Sequence, residues 1–268
     1  MAQVVSQLGD WFSSIALYTL ILSLTGSAKA VGLFIGAQFL PAAIAGYWTG
    51  PLTDRVGRRK LMLFADFGRA ALTLGYLAVD RPERVPWIYA ITICCVLLQA
   101  FFEPAHKAAL PDIVTREDMV PANAISGATW SCVLALGAAL GGVVAGVFGH
   151  QVAFVLNSLS FIVSAYFVSG LVLSSDSKPR RPKATWGECF SYLRKNPRIG
   201  AYVLSKPLWC CAGGVTLVLT LYGREVFPIT AAGGEVGAIS IGLYYAIRGL
   251  GAGIGQILGY RVRGQRKD

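Results

Sequence analysis

The apolar residues of this chain are gathered into blocks of about 20, and basic turns separate many of the blocks. A helix of about 20 residues, rising about 1.5 Å per residue, crosses a hydrocarbon layer about 30 Å thick. The chain is 54% hydrophobic and only 14% charged, whereas a soluble domain carries about a quarter charged residues. The pattern predicts an all-α polytopic membrane protein. Its spans fall at Ala2–Leu24, Val31–Thr49, Leu61–Val79, Pro86–Phe102, Ala124–Phe148, Val152–Leu173, Gly200–Tyr222 and Gly237–Tyr260.

The loops carry charge unevenly. Turns 50–60, 103–123 and 174–199 and the tail from Arg261 hold 4, 2, 7 and 4 Lys and Arg residues. The alternate set holds Lys29, Arg81, Arg84 and Arg224. The positive-inside rule places the basic set, and with it both termini, in the cytosol. The net charge of +10 does not indicate a nucleic-acid partner, because the basic residues sit in alternate loops rather than on one face. The expected partners are membrane lipids and a small molecule. The first block begins near Met1 without a basic leader region, and no small-residue cleavage site follows, so no cleavable signal is expected.

The longest loop divides the chain. Its segment SSDSKPRRPK is polar, basic and proline-containing, the composition of a linker. After it, Trp186, Phe190 and Leu193 fall on one helical stripe, as in a short amphipathic helix on the inner leaflet or an ordinary loop helix. The expected units are therefore a six-span bundle at 1–173, a cytosolic linker at 174–199 and a two-span unit at 200–268. An internal repeat supports this division. VGLFIGAQFLPAAIAG (Val31–Gly46) aligns without gaps to IGLYYAIRGLGAGIGQ (Ile241–Gln256), and each leads into a basic turn.

Chemistry-bearing residues are few. Cys94, Cys95, Cys132, Cys189, Cys210 and Cys211 have no C-x-x-C spacing and read as small packing residues. His106 and His150 have no metal-ligand set beside them. No Ser-His-Asp set or phosphate loop points to an enzyme or a bound cofactor. Charges inside spans cost about 2.5–3.5 kcal/mol each, so each is a candidate for function. Asp10 lies about 12 Å into the first span; it is the first choice for a proton-coupling carboxylate, or it hydrogen-bonds Gln7 or Ser14. Asp66 and Arg69, three residues apart, can pair on one helix face, either structurally or as a relay. Arg248 sits near the middle of its span and needs an acidic partner (Asp10 or Asp66), an anionic ligand or a water-filled cavity. Lys206 can snorkel to the interface. Glu103, Asp112, Glu117 and Asp118 read as solvated loop or cap residues. Gly137, Gly141 and Gly142, and Gly251 and Gly255, fall in small-residue rows that let helices approach closely. Phe39, Tyr47, Trp48, Trp130 and Trp209 could line a cavity or pack.

The turn GPLTDRVGRRK resembles the signature between helices two and three of the major facilitator superfamily. Gly50, Leu52, Asp54, Arg55, Gly57, Arg58 and Arg59 carry the match. FFEPAHKAALPDIVTREDMVPANAISGATW (Phe101–Trp130) resembles the helix four to five region of its drug- and siderophore-efflux branch, and also the bacterial lysophospholipid-transporter branch. The resemblance implies the major facilitator fold, with a complete N-terminal six-helix bundle and the first two helices of the C-terminal bundle. Members usually have twelve spans, so four C-terminal helices are expected in the full-length protein. The implied activity is secondary transport in a bacterial inner membrane: proton-coupled efflux of small amphipathic or drug-like molecules by alternating access. A lysophospholipid transporter and a non-transporting truncated fragment are the alternatives. The resemblance also implies that the Asp54 turn is a gate latch; the bland reading is that its cations anchor phosphate headgroups. Ala138 stands where the antiporter branch carries proline beside Gly137, Gly141 and Gly142.

Overall fold

A computed structural model describes residues 1–113, 119–171, 186–201, 203, 214–231 and 234–264, with the side chains of most of them. Among these no strand occurs. The helices are α1 (Ala2–Thr25), α2 (Ala28–Val56), α3 (Arg58–Leu74), α4 (Val85–Ile113), α5 (Met119–Phe148), α6 (His150–Ser169), α7 (Trp186–Lys195), α8 (Gly214–Leu221) and α9 (Ala238–Gly264). Five stretches among the described residues are long and apolar enough to cross a membrane: Ala2–Thr25, Arg58–Ala78, Pro82–His106, Ile125–Phe148 and His150–Ser169. About half of the sequence-predicted seventh span falls outside the described residues, and Lys206, Trp209, Cys210 and Cys211 lie in that half.

Helix ends follow local chemistry. Gly26 closes α1 in the left-handed region at φ 60°, its N–H donating to the Leu22 carbonyl. Ser27 caps α2, its hydroxyl accepting from the Ala30 N–H at 3.4 Å. The turn after α2 is tighter than the sequence reading placed it. α2 continues to Val56 and α3 starts at Arg58, so Gly57 alone makes the reversal, at φ 88°. Side-chain-bearing residues rarely adopt that backbone. α2 therefore runs past the hydrocarbon layer: its 29 residues span about 43 Å against about 30 Å. Asp54 and Arg55 sit in the last turn of α2 and Arg58 and Arg59 in the first of α3. The side chains of Gly50–Val56 lie outside the described residues.

α1 is the hub. It packs against α5 and α6, α3 packs against α4 and α6, and α2 packs against α4 and α8. α9 lies along α5. The core contains Ile15, Ile21, Phe34, Leu134, Phe154, Ile241 and Tyr245. Outward residues are as apolar as inward ones. Leu243, Ile247, Leu250, Ile254 and Leu258 form an exposed stripe along α9, the arrangement expected of a helix bathed in lipid rather than water. In α7, Phe190 is exposed and Leu193 half-buried, while the Trp186 side chain lies outside the described residues.

The α5–α9 contact is made of backbone. A Cβ at Gly142 would stand 2.7 Å from the Ala238 carbonyl oxygen and 2.8 Å from the Gly242 Cα. One at Gly249 would stand 2.6 Å from the Ala135 nitrogen. Gly137 and Gly141 face α1 instead, against Trp11 and the Phe12 Cα. The sequence reading chose Gly251 and Gly255 on α9, but a Cβ at either meets nothing among the described atoms. Helix geometry explains the difference: nine residues at about 100° each put Gly251 on the face opposite Gly242, whereas Gly249 returns to the same face.

Candidate transport cavity

A cavity of about 340 Å³ lies at mid-bundle, lined from α1–α6, α8 and α9. Its charged members stand on two walls. On one, α3 presents Arg69, whose Nη2 donates to Asp66 Oδ1 at 2.6 Å. The i, i+3 spacing puts both on one face, and both are buried. Ser164 of α6 donates to the other Asp66 oxygen at 2.7 Å. The Arg69 guanidinium also lies over the rings of Phe161 (4.4 Å) and Phe102 (5.0 Å), where the ring faces favour a cation. Its Nη1 is 3.9 Å from Asp10 Oδ2 of α1. Asp66 is fully enclosed, whereas the Asp10 side chain is 34% exposed and borders the cavity. Of the two acids, Asp10 is therefore the one that solvent and a ligand can reach. The ion partner of Asp10 is Arg69.

On the other wall α9 presents Arg248 and Tyr245. Arg248 Nη1 donates to the Thr216 hydroxyl of α8 at 3.3 Å. Tyr245 donates to the Thr216 carbonyl at 3.0 Å. Its ring meets Trp11 edge-on at 5.6 Å and Tyr18 at 6.0 Å. Tyr18 donates to Gln38 Oε1 at 3.0 Å, and Asn157 donates to the Ser13 hydroxyl at 2.9 Å. Phe39 and Trp130, named from sequence, border the cavity. The side chains of Tyr47 and Trp48, and residue Trp209, lie outside the described residues. Sequence reasoning missed Tyr18, Gln38, Asn157, Ser164, Thr216 and Tyr245. Asn157 gave a usable signal, a lone amide within the apolar run FVLNSLSF; the others are unremarkable until the fold brings them together.

The two ends of the bundle differ. At the basic end, Arg59 of α3 donates to the Ser169 carbonyl, one of the unsatisfied groups that close α6. Gln3 of α1 donates to Glu103 of α4 at 3.2 Å. At the opposite end, α8–α9 and the turn between them grip the first six helices. His150 Nδ1 is 2.8 Å from Glu235 Oε1, Arg224 donates to the Thr19 carbonyl at 2.8 Å, and Gly234 abuts the Gly146 carbonyl.

A backbone-close helix pair thus lies beside a mid-bundle cavity with charges on opposing walls. The sequence profile of the Major Facilitator Superfamily matches residues 1–267, and the chain belongs to that family, as a multi-pass membrane protein. It is similar to the enterobactin exporter EntS of Citrobacter koseri, with 29% identity over 245 residues, 89% of this chain and 53% of that protein. It is also similar to the enterobactin exporter EntS of Escherichia coli O1:K1 / APEC, with 27% identity over the same shares. The uncharacterized MFS-type transporter YfiS of Bacillus subtilis (strain 168) is 26% identical over 165 residues, 61% of this chain and 39% of that protein. The chain thus spans from two fifths to about half the length of these relatives.

Proposed function

We propose that the protein is a secondary exporter of a bacterial inner membrane, moving small amphipathic or drug-like molecules outward in exchange for protons. The chain supplies the N-terminal bundle at 1–173, the linker at 174–199 and the start of a second bundle at 200–268. Four further helices complete that bundle in the functional protein. The observation that carries this reading is the half-exposed Asp10 on the cavity wall beside the buried Arg69–Asp66 pair. A carboxylate reachable from the cavity, held by a cation, can take up and release a proton as the cavity opens and closes. Exporter-named relatives that match 89% of the chain support the direction. The distribution of Lys and Arg supports cytosolic placement of both chain termini.

In this mechanism the bundles rock about the mid-bundle site. Asp10 exchanges the proton, Arg69 and Asp66 orient it, and Arg248 meets the cargo. The turn Gly50–Lys60, with Asp54, Arg55, Arg58 and Arg59, latches the cytosolic gate. The contacts of His150, Arg224 and Gly234 hold the opposite gate shut in the observed state. Two expected outcomes test this. In inverted vesicles carrying the full-length gene product, Asp10→Asn lowers proton-driven export at least about tenfold, equivalent to about 1.4 kcal/mol; undiminished export removes Asp10 from the mechanism. The His150–Glu235 contact is partly exposed and worth about 0.2–1 kcal/mol, so His150→Ala opens that gate up to about fivefold more often. With Cys95, which borders the cavity, kept as the single cysteine, its labelling by an impermeant maleimide from the periplasmic side should rise accordingly. An unchanged rate would exclude the contact from gating.

A further inference from the structure

We propose that the cavity binds an organic anion carrying an aromatic ring, with Arg248 as the group that receives its charge. This rests on the transport reading of the same cavity and names the class of its ligand.

An arginine at the middle of a spanning helix needs compensation. Sequence alone leaves Asp10 and Asp66 open as its partners. In the fold both stand at Arg69, and Arg248 forms no ion pair among the described residues. Its hydrogen bond goes to the Thr216 hydroxyl, at a long 3.3 Å. A guanidinium offers five donors in a planar fork that matches a carboxylate or similar oxyanion. One neutral hydroxyl satisfies a single donor and none of the charge. Arg248 is half-buried and borders the cavity, so its free donors can serve a ligand there.

The surroundings define the rest of the ligand. Tyr245, one turn from Arg248 on α9, is fully buried and touches Trp11 and Tyr18 of α1. Tyr18 in turn meets Phe34 edge-on at 5.7 Å. These rings are locked by one another and by the hydrogen bonds of Tyr18 to Gln38 and Tyr245 to Thr216. Buried themselves, they back Trp11, which is half-buried and borders the cavity, so its indole is a held apolar face on which a planar ring can stack with little loss of side-chain freedom. A cationic ligand would meet Arg248 with its charge uncompensated, and the carboxylates on the far wall are already engaged by Arg69.

The probes are radiolabelled 2-naphthoate, its neutral methyl ester and 2-naphthylmethylammonium, which share a ring system and differ in charge. Binding to the full-length gene product in neutral-lipid nanodiscs, corrected against empty nanodiscs, should rank the anion at least tenfold above the ester and the ammonium last. Arg248→Gln should abolish that ranking, and Arg248→Lys, which keeps the charge but loses the fork, should weaken anion binding about three- to tenfold. Thermal unfolding checks that each variant is folded; Thr216→Val, which leaves the charge in place and removes the hydroxyl that orients it, should weaken the anion severalfold and serves where Arg248→Gln does not fold. Equal binding of the three probes overturns the anion assignment and leaves the transport reading standing. An anion preference that survives Arg248→Gln, or survives Thr216→Val undiminished, also overturns it. A folded protein that binds none of the probes overturns this proposal, whereas the transport reading falls only with loss of export by the full-length gene product.

Discussion

Replacing Arg69 by methionine is expected to destabilise the folded bundle by about 3–5 kcal/mol, the cost of breaking a buried ion pair from one side. Asp66 is fully enclosed and accepts from Arg69 at 2.6 Å and from Ser164 at 2.7 Å. Without the guanidinium the serine hydroxyl alone faces a buried carboxylate. Asp10 loses its cation at the same time. The loss reads out as a lowered midpoint for denaturant unfolding in mild detergent. The double change Asp66→Asn with Arg69→Met separates charge from shape. Asparagine still accepts from Ser164, and methionine still packs between Phe102 and Phe161. The double variant should recover at least half of the loss. If the single change costs under about 1 kcal/mol, the magnitude of an exposed pair, the Arg69 cluster is not the buried device described above.

Gly142→Val is expected to cost about 1–3 kcal/mol by forcing α5 and α9 apart. The atoms that its Cβ would meet are backbone: the Ala238 carbonyl oxygen at 2.7 Å and the Gly242 Cα at 2.8 Å. Backbone cannot step aside as a flexible side chain can. Gly242→Val strikes the same crossing, with the Ala138 carbonyl oxygen at 2.5 Å. The two changes relieve themselves by the same separation, so the double variant should cost clearly less than their sum. Gly251→Val is the control. Its Cβ meets nothing among the described residues, and the change should stay within about 0.5 kcal/mol, the range of ordinary surface substitutions. Equal losses at positions 142 and 251, measured by unfolding in detergent, would show that the helices do not cross where the structure places them.

Much of the architecture was legible in the sequence because the bilayer imposes simple rules. Span length and hydropathy placed α1 to α6 to within a few residues at most ends, and i, i+3 spacing alone put Asp66 and Arg69 on one face. What was hidden has a common cause. Sequence spacing reports which residues share a face, but not which face meets which helix. The glycine rows of α9 show this: two rows were available, and only the tertiary docking of α5 selected Gly242 and Gly249 over Gly251 and Gly255. The cavity wall was hidden for the same reason. Tyr18, Thr216 and Tyr245 come from three helices, and nothing local distinguishes them from the many other tyrosines and threonines. The turn at Gly57 was legible as a reversal but not as a single-residue one, because the continuation of α2 through polar residues follows from helix packing rather than hydropathy.

The glycine crossing of α5 and α9 also has a consequence in time. Its two halves lie far apart in the chain and emerge from the ribosome separately. At about 5–20 residues per second, synthesis from the end of α5 to the end of α9 takes roughly 6–23 s. Through that interval the groove around Gly142 must be filled by lipid tails or by a chaperone of the insertion machinery. α9 must then evict the occupant to dock. Assembly of this protein is thus ordered by the moment at which α9 is delivered, and a pause in translation between the two helices would lengthen the period in which the first bundle stands with its closest-packing surface uncovered.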